Sequence, residues 1–548
     1  MSSCRRLVAV QLHITLACAL LVACGSSAPR QDAGEDSRSA IDDASEGATG
    51  ADSIVADTSE AAAAHPDAAT CEPGPLQGTG ALAWVQRSTG DGSQPLGLAV
   101  TTSGALVVGG KHNGSIMLAP DSGAPVSFSV KGQYDLWLAR WQNDGILTWA
   151  RAAGTSVQSM VSAVAPAPGD DAYVGGTAFA YPNDPLVLGA GETNQTTFTR
   201  YGTFFARYRA DGSLVWAKVQ QNGGNPYRIL PAPDGGFFAV GDAGSFAAVF
   251  GVGESHQTAL IPRTVSSSTP TFVARFGADG QLTWVRTLGG IDPDAVQMAD
   301  GGVAVVGMCS GDKAVFEGGK APDATLVPDW GDLFITSYSS AGDLRWVKAV
   351  TGPPQVMPEA VSVLSSGDLI IAASCEPKNK DSGPPENQAI FAPGEANETR
   401  ISCTDFDLVY ARFAPDGRLV WAKSIPSLYP GLRGLAPPAD GGFAMASTFR
   451  KTDPAIFEAA SCSSLSLSRL SQTTDLVMSW HRPDGRVRNA RILATGSPRI
   501  IGLSALNDGS VALTGAFSAT TTFGPLDITK VSYAAVGGEN TFLARITP

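Results

Sequence analysis

Hydrophobic and polar positions alternate with a period of two along 271–290, TFVARFGADGQLTWVRTLGG. Phe272, Ala274 and Phe276 lie on one side of an extended chain, and Leu282, Trp284 and Arg286 share a side of the next run. Period two in runs rich in β-branched and aromatic residues predicts strands. Ala278-Asp279-Gly280 stands between them. Glycine takes positive φ without steric cost and aspartate tolerates it, so the segment predicts a tight antiparallel turn. The same hairpin returns at 135–154, 202–221, 332–351 and 407–426, and in decayed form at 475–494. A second kind of hairpin alternates with it, as in DAVQMADGGVAVVG at 294–307 and IGLSALNDGSVALTG at 501–515. Each repeat therefore holds four short strands, A–B then C–D. Apolar residues on both faces of many of them predict sheets covered on both sides.

The repeats imply a closed ring. A reference tryptophan stands at Trp84, Trp149, Trp216, Trp284, Trp346 and Trp421, with Asn489 in the decayed copy, at spacings of 62 to 75 residues. The excess over the roughly 40–50 residues of common propeller repeats falls between strands B and C. These inserts are polar and Gly-rich, and are expected to be ordered arms or an extra hairpin. One repeat is split, with ALAWVQ at 81–86 and NTFLARI at 540–546. The two chain ends must then pair inside one sheet, and four-stranded sheets repeated radially make a β-propeller. The sequence predicts an all-β, seven-bladed β-propeller over 81–548, its last blade closed by the N-terminal strand.

Charge and composition change the picture at the N-terminus. Arg5 and Arg6 precede a mostly apolar stretch to Ala23, short for a membrane span, so 1–23 reads as a signal segment. It ends Leu21-Val22-Ala23-Cys24-Gly25, which resembles a bacterial lipoprotein signal. The resemblance implies that Cys24 is lipidated, and Gly25 in place of Asp implies the outer membrane. Residues 24–80 are an acidic Ala/Ser/Asp-rich tether without a core. Residues 1–80 hold 11 Asp and Glu against 4 Lys and Arg, a net of −7 out of −13 for the whole chain. That acidity argues against nucleic acid as a partner, because phosphate contacts need clustered Lys and Arg.

Candidate chemistry is sparse. The tryptophans recur at a fixed place in the repeat, which assigns them to packing between blades and not to sugar stacking. The Asp-Gly pairs lack the alternating acidic ligands of a calcium loop. His112, His256 and His481 have no second His or Cys at metal-ligand spacing, and each is expected at the surface or in a loop. No nucleophile elbow, metalloprotease, P-loop or dinucleotide motif stands in its required context. No catalytic residue, cofactor site or metal site is assigned. Five cysteines lie beyond Cys24: Cys71, Cys309, Cys375, Cys403 and Cys462. Cys375 closes strand B of blade five and Cys403 precedes its strand C, so this pair is expected to form a disulfide, which export permits.

The repeat FVARFGADGQLTWVRTLGG resembles a bacterial β-propeller repeat family with long F-V-A-K/R…D-G-x-L-x-W repeats, as in myxobacterial-type surface lipoproteins. It departs at Ser337 in blade four and Trp480 in blade six, where the Arg is replaced. The resemblance implies a fold and no reaction. A monomeric lipid-anchored binding or adhesion module is the expected function, with a protein or glycan partner on the face that carries the long B–C and D–A connections, where Tyr181 and Trp330 are candidate anchors. The alternatives are an outer-membrane assembly scaffold, since a propeller lipoprotein of that machinery has similar repeats but eight blades, and a carbohydrate-active or quinone-dependent enzyme.

Overall fold

A computed structural model describes residues 80–548, apart from 122–123, 245–246, 261–270, 310–312, 328, 330, 378–386, 405, 427, 430–433, 438–440, 450–453, 458–464 and 548. The signal segment, Cys24 and the tether up to residue 79 lie outside the described residues.

The chain is a seven-bladed β-propeller. Each blade is an antiparallel sheet of strands A to D, as in blade three, where Pro226–Pro231, Phe237–Asp242, Thr271–Phe276 and Leu282–Leu288 pair in that order. Blade six differs, since its strand A is broken into Leu428–Tyr429 and Leu435–Ala436. Blade seven takes strands A to C from Arg499–Ala505, Val511–Phe517 and Asn540–Ile546, and strand D from Leu82–Gly90 at the other end of the chain. Leu82 faces Ile546 and Arg87 faces Phe542 across that closure.

The core lies between blades, not within them. Seven clusters of buried side chains each join two neighbours, as where Tyr173 and Phe205 of blade two meet Phe237 and Phe276 of blade three. Sheets buried on both faces need apolar residues at successive positions, and strands B and C supply them: Phe237 to Val240 and Phe272 to Ala274 are fully buried.

The tryptophans form a clasp from each blade to the next. Each indole Nε1 donates to the first carbonyl of the next C–D turn: Trp84 to Asn143, Trp149 to Ala210, Trp216 to Ala278, Trp284 to Ser340, Trp346 to Pro415 and Trp421 to Pro483, at 2.9–3.1 Å. The ring lies against the glycine of that turn. Those glycines have φ of +73° to +87°, and a Cβ on any of them would sit 2.6–3.0 Å from the ring. Glycine is required twice over, by conformation and by contact.

Blade six is the exception, and its physical reason is the seam. Its neighbour, blade seven, has no C–D turn, because the chain termini stand there. Asn489 occupies the clasp position, and Trp480, directly opposite it on strand C, carries the ring instead. That ring lies against Gly80, which has φ of +56° and whose added Cβ would sit 2.6 Å from Trp480. Gly80 is the seam's counterpart of a turn glycine. Blade four shows a second substitution of role. In blades two, three, five and seven the strand-C arginine reaches an aspartate at its own A–B turn, as Arg412 Nε does to Asp368 at 2.6 Å. Ser337 has no such reach, and Arg345 of strand D pairs with Asp300 at 2.6 Å in its place.

Every B–C insert contains a short hairpin. The hairpins of blades one, three, five and seven pair with strand D of the preceding blade, as Ser88↔Leu118 and Val350↔Phe391 show. The inserts thus brace the outer rim across each of these junctions.

Two of the three histidines correct the expectation. His256 is exposed, but His112 and His481 are buried within strands. His481 stacks on Phe443 with centroids 4.8 Å apart, bonds Gly485 O through Nδ1 at 3.1 Å and meets Ser479 Oγ through Nε2 at 2.8 Å. It stands where Phe276 and Tyr338 stand in other blades, and imidazole supplies a flat ring in their place. Burial pushes its pKa from 6.5 down to about 4, and burial lowers that of His112 as well. The unfolded state therefore binds the proton first on acidification. Stability should fall as pH drops from about 6.5 to 4, with His481 contributing about 3 kcal/mol of that loss. Melting temperatures across this window should show the slope, and His481→Phe should flatten it. An unchanged slope would assign the effect elsewhere.

Candidate functional site

The seven A strands line a central channel of about 490 Å³. Its wall is unequal. Blades one, two, six and seven contribute mainly Gly, Ala, Val, Leu and Ile, including Leu98, Val164, Leu435 and Leu503. Blades three to five contribute Tyr227, Arg228, Asp294 and Ser362.

Arg228 and Asp294 form an ion pair between strands A of blades three and four. The Asp294 carboxylate also accepts from Ala295 N at 2.8 Å and from Val361 N of blade five at 3.1 Å. One carboxylate thus ties three inner strands together. Burial works against the Arg228 charge, but Asp294 outweighs it and the guanidinium pKa is raised. A buried charge is tolerable only with such partners.

The polar wall opens at the face formed by the B–C and D–A connections. There Tyr227, Arg228, Asp292, Asp294 and Glu359 surround a side pocket of about 60 Å³. Tyr227 OH donates to Asp242 Oδ2 at 3.0 Å, and Asn225 N and Gly244 N donate to the same carboxylate at 3.2 and 3.0 Å. Burial raises the Asp242 pKa against those bonds, and Asp292 adds to the rise. Asp292 is exposed and has φ of +49° directly before Pro293. That conformation costs a non-glycine residue about 1–2 kcal/mol, and such strain gathers at functional positions. On this side the mouth is an arc of hydrogen-bonding groups with an excess of carboxylates. Among the described residues, no group of three or more His, Cys, Asp or Glu could hold a metal ion.

None of these mouth residues was singled out by sequence reasoning. The available signal was a charge inside an otherwise apolar strand A, in PYRILP and IDPDAV. The positions singled out from the sequence lie elsewhere. Cys375 and Cys403 form a disulfide with Cα atoms 5.7 Å apart, both buried, in the B–C insert of blade five. Cys309 is a buried free thiol, its pKa pushed up to about 12 by burial and then by Asp332. Tyr181 is exposed. Cys24, Cys71, Cys462 and Trp330 lie outside the described residues.

The disulfide closes a loop with a sequence separation of 28. Chain-entropy arguments give such a loop about 3–4 kcal/mol. Cys375→Ser with Cys403→Ser should lose that amount in denaturant titration and should make stability insensitive to reductant. A loss below about 1 kcal/mol would mean that the 30-odd-residue insert constrains the unfolded chain little.

No family model matches the chain, and no curated protein matches it. Among solved structures it is similar to a puromycin hydrolase, at 12% identity and a TM-score of 0.40, over 81% of this chain and 54% of the hydrolase. The chain thus spans about half that protein's length. It is also similar to a glucose dehydrogenase, at 11% identity and a TM-score of 0.30, over 84% of this chain and 98% of that one. A rhamnogalacturonan lyase shows 11% identity and a TM-score of 0.22, over 74% and 90%. Likenesses at this level carry no argument about activity.

Proposed function

We propose that the protein is a lipid-anchored outer-membrane lipoprotein, held through Cys24 on the 24–80 tether, whose propeller is a non-catalytic binding module for a protein or glycan. The observation that carries this reading is the charged channel mouth on the face of the long connections. Ala81 O accepts from Thr547 N at 2.9 Å at the C–D end of blade seven, so the described chain begins at the face of the short turns. Asp292, Glu359, Tyr227 and Arg228 open on the other face. Phenol, guanidinium and carboxylates together suit hydroxyl-rich or peptide ligands. The long-repeat family resemblance and the lipobox support the same reading.

The test has two arms. Cys24→Ala should move the protein from the membrane fraction to the soluble fraction, and retention in the membrane would remove the anchor from this reading. The 81–548 fragment should capture a partner from glycan or envelope-protein arrays. Asp292→Asn, which tolerates the positive φ, with Glu359→Gln, which keeps the acceptor for Ser374 Oγ, should weaken that capture on the order of tenfold or more with little change in melting temperature. Capture indifferent to both substitutions would place the site elsewhere on the ring.

A further inference from the structure

A second contact repeats at the outer rim. A strand-D cation pairs with a carboxylate in the following blade's B–C hairpin: Arg87 with Asp121 at 2.9 Å, Lys218 with Glu254 at 2.8 Å, Lys348 with Glu395 at 2.5 Å, and Arg491 with Asp527. These four hairpins are the ones that pair in register with the preceding strand D. The ion pair and the strand pairing close the hairpin over the junction together.

Between blades one and two both charges are present and unjoined. Arg151 holds the place of Lys218, and Glu192 the place of Glu254. Glu192 accepts from Leu214 N at 2.6 Å, as Glu254 does from Leu282 N at 2.6 Å. Arg151 is exposed, lies 5.9 Å from the Trp149 ring and donates to Ala150 O at 3.2 Å. Among the described residues, no ion pair joins it to Glu192. The hairpin of Leu186–Leu188 and Thr196–Phe198 forms a sheet of its own, without pairing to Leu147–Ala153. Beneath it lies a cavity of about 120 Å³. Leu138, Val161, Val174 and Phe204 form its floor, each no more than 2% exposed, and Arg151 and Glu192 stand at its rim.

The apolar floor accepts a small hydrocarbon group, and the polar rim faces its charged end. Two unjoined opposite charges at its rim define the polar end of an occupant. We propose that this cleft binds a free apolar α-amino acid of about leucine size. The side chain enters the floor, the carboxylate pairs with the Arg151 guanidinium, and the ammonium pairs with Glu192. Arg151 keeps most of its five N–H donors for a planar carboxylate. Glu192 keeps acceptor capacity beyond its bond to Leu214 N. The ligand supplies the bridge that Lys218 and Glu254 make directly, and it closes the hairpin over the junction.

The experiment is calorimetric titration of the full-length protein with L-leucine, isovalerate, isoamylamine and L-glutamate. L-leucine should bind saturably and raise the melting temperature. The two singly charged analogues and L-glutamate should bind on the order of tenfold more weakly or worse, the loss expected for a charge-assisted contact or for the apolar floor. Arg151→Gln removes an exposed charge, and Glu192→Gln keeps the acceptor for Leu214 N, so both variants should fold. Each should weaken L-leucine binding by a similar factor. Absence of saturable binding at millimolar L-leucine, equal binding of isovalerate, or indifference to both variants would overturn the proposal.

Discussion

Removal of Ala81 to Arg87 is expected to abolish cooperative folding of the ring. The deletion strips strand D from blade seven and leaves Asn540–Ile546 as an open edge with unpaired backbone groups. It takes Leu82 and Val85 out of the blade six–seven core, each worth about 1.5–3 kcal/mol when buried. It also removes the Trp84 clasp to blade one, worth about 3–5 kcal/mol by the usual cost of deleting a large aromatic side chain. The sum approaches the whole stability of an ordinary domain, about 5–15 kcal/mol. An exposed edge of this kind also pairs with other chains. Size-exclusion chromatography should show soluble aggregates, and the main melting transition should be lost. A peptide of residues 80–90 added in trans should restore part of it. A monomeric deletion variant with unaltered melting would refute closure through this strand.

Trp284→Ala is expected to cost about 3–5 kcal/mol, by the typical loss for truncating a buried aromatic ring. Trp284 is 7% exposed, packs against Phe238 with centroids 6.0 Å apart, donates to Ser340 O at 2.9 Å and covers Gly342. Gly342→Ala places a Cβ 2.6 Å from the same ring at φ of +82°, so it should destabilise as well. The two losses should not add, because the double variant removes the ring that the new Cβ meets. Asn489→Trp is the control. No C–D turn follows blade six, so a tryptophan there gains no carbonyl partner, and Trp480 already covers Gly80. Denaturant titration should show no stabilisation by Asn489→Trp. Additive losses in the first pair, or a stabilising Asn489→Trp, would mean that the clasp is not the unit described.

The candidate site was far less legible than the fold. Repeats announce themselves because the same local physics recurs: period-two strands, an Asp-Gly turn, a tryptophan at fixed phase. The channel mouth uses residues that depart from the repeat, such as Arg228, Asp292 and Glu359, each a charge within a largely apolar strand. Their meaning comes from neighbours some 65 residues away in sequence, as in the Arg228–Asp294 pair, separated by 66. His112 and His481 depart from the expected surface position for a related reason. His481 reads as polar by type, yet its position asks for a flat ring, and a buried neutral imidazole with two hydrogen-bond partners satisfies it.

The sequence by itself determined the strands, the turns, the count of seven blades and the seam, because these follow from alternation, glycine conformation and the splitting of one repeat. It also implied the approach of Cys375 to Cys403, since adjacent antiparallel strands bring their ends together. Tertiary structure alone decided which insert hairpins pair with a neighbouring strand, why Asn489 and Trp480 exchange roles, and how Arg345 stands in for the arginine missing at Ser337. It also placed Arg151 and Glu192 apart at the rim of the cavity between blades one and two. Each of these depends on contacts between consecutive blades, set by packing distance across the ring and not by the local pattern of any one strand.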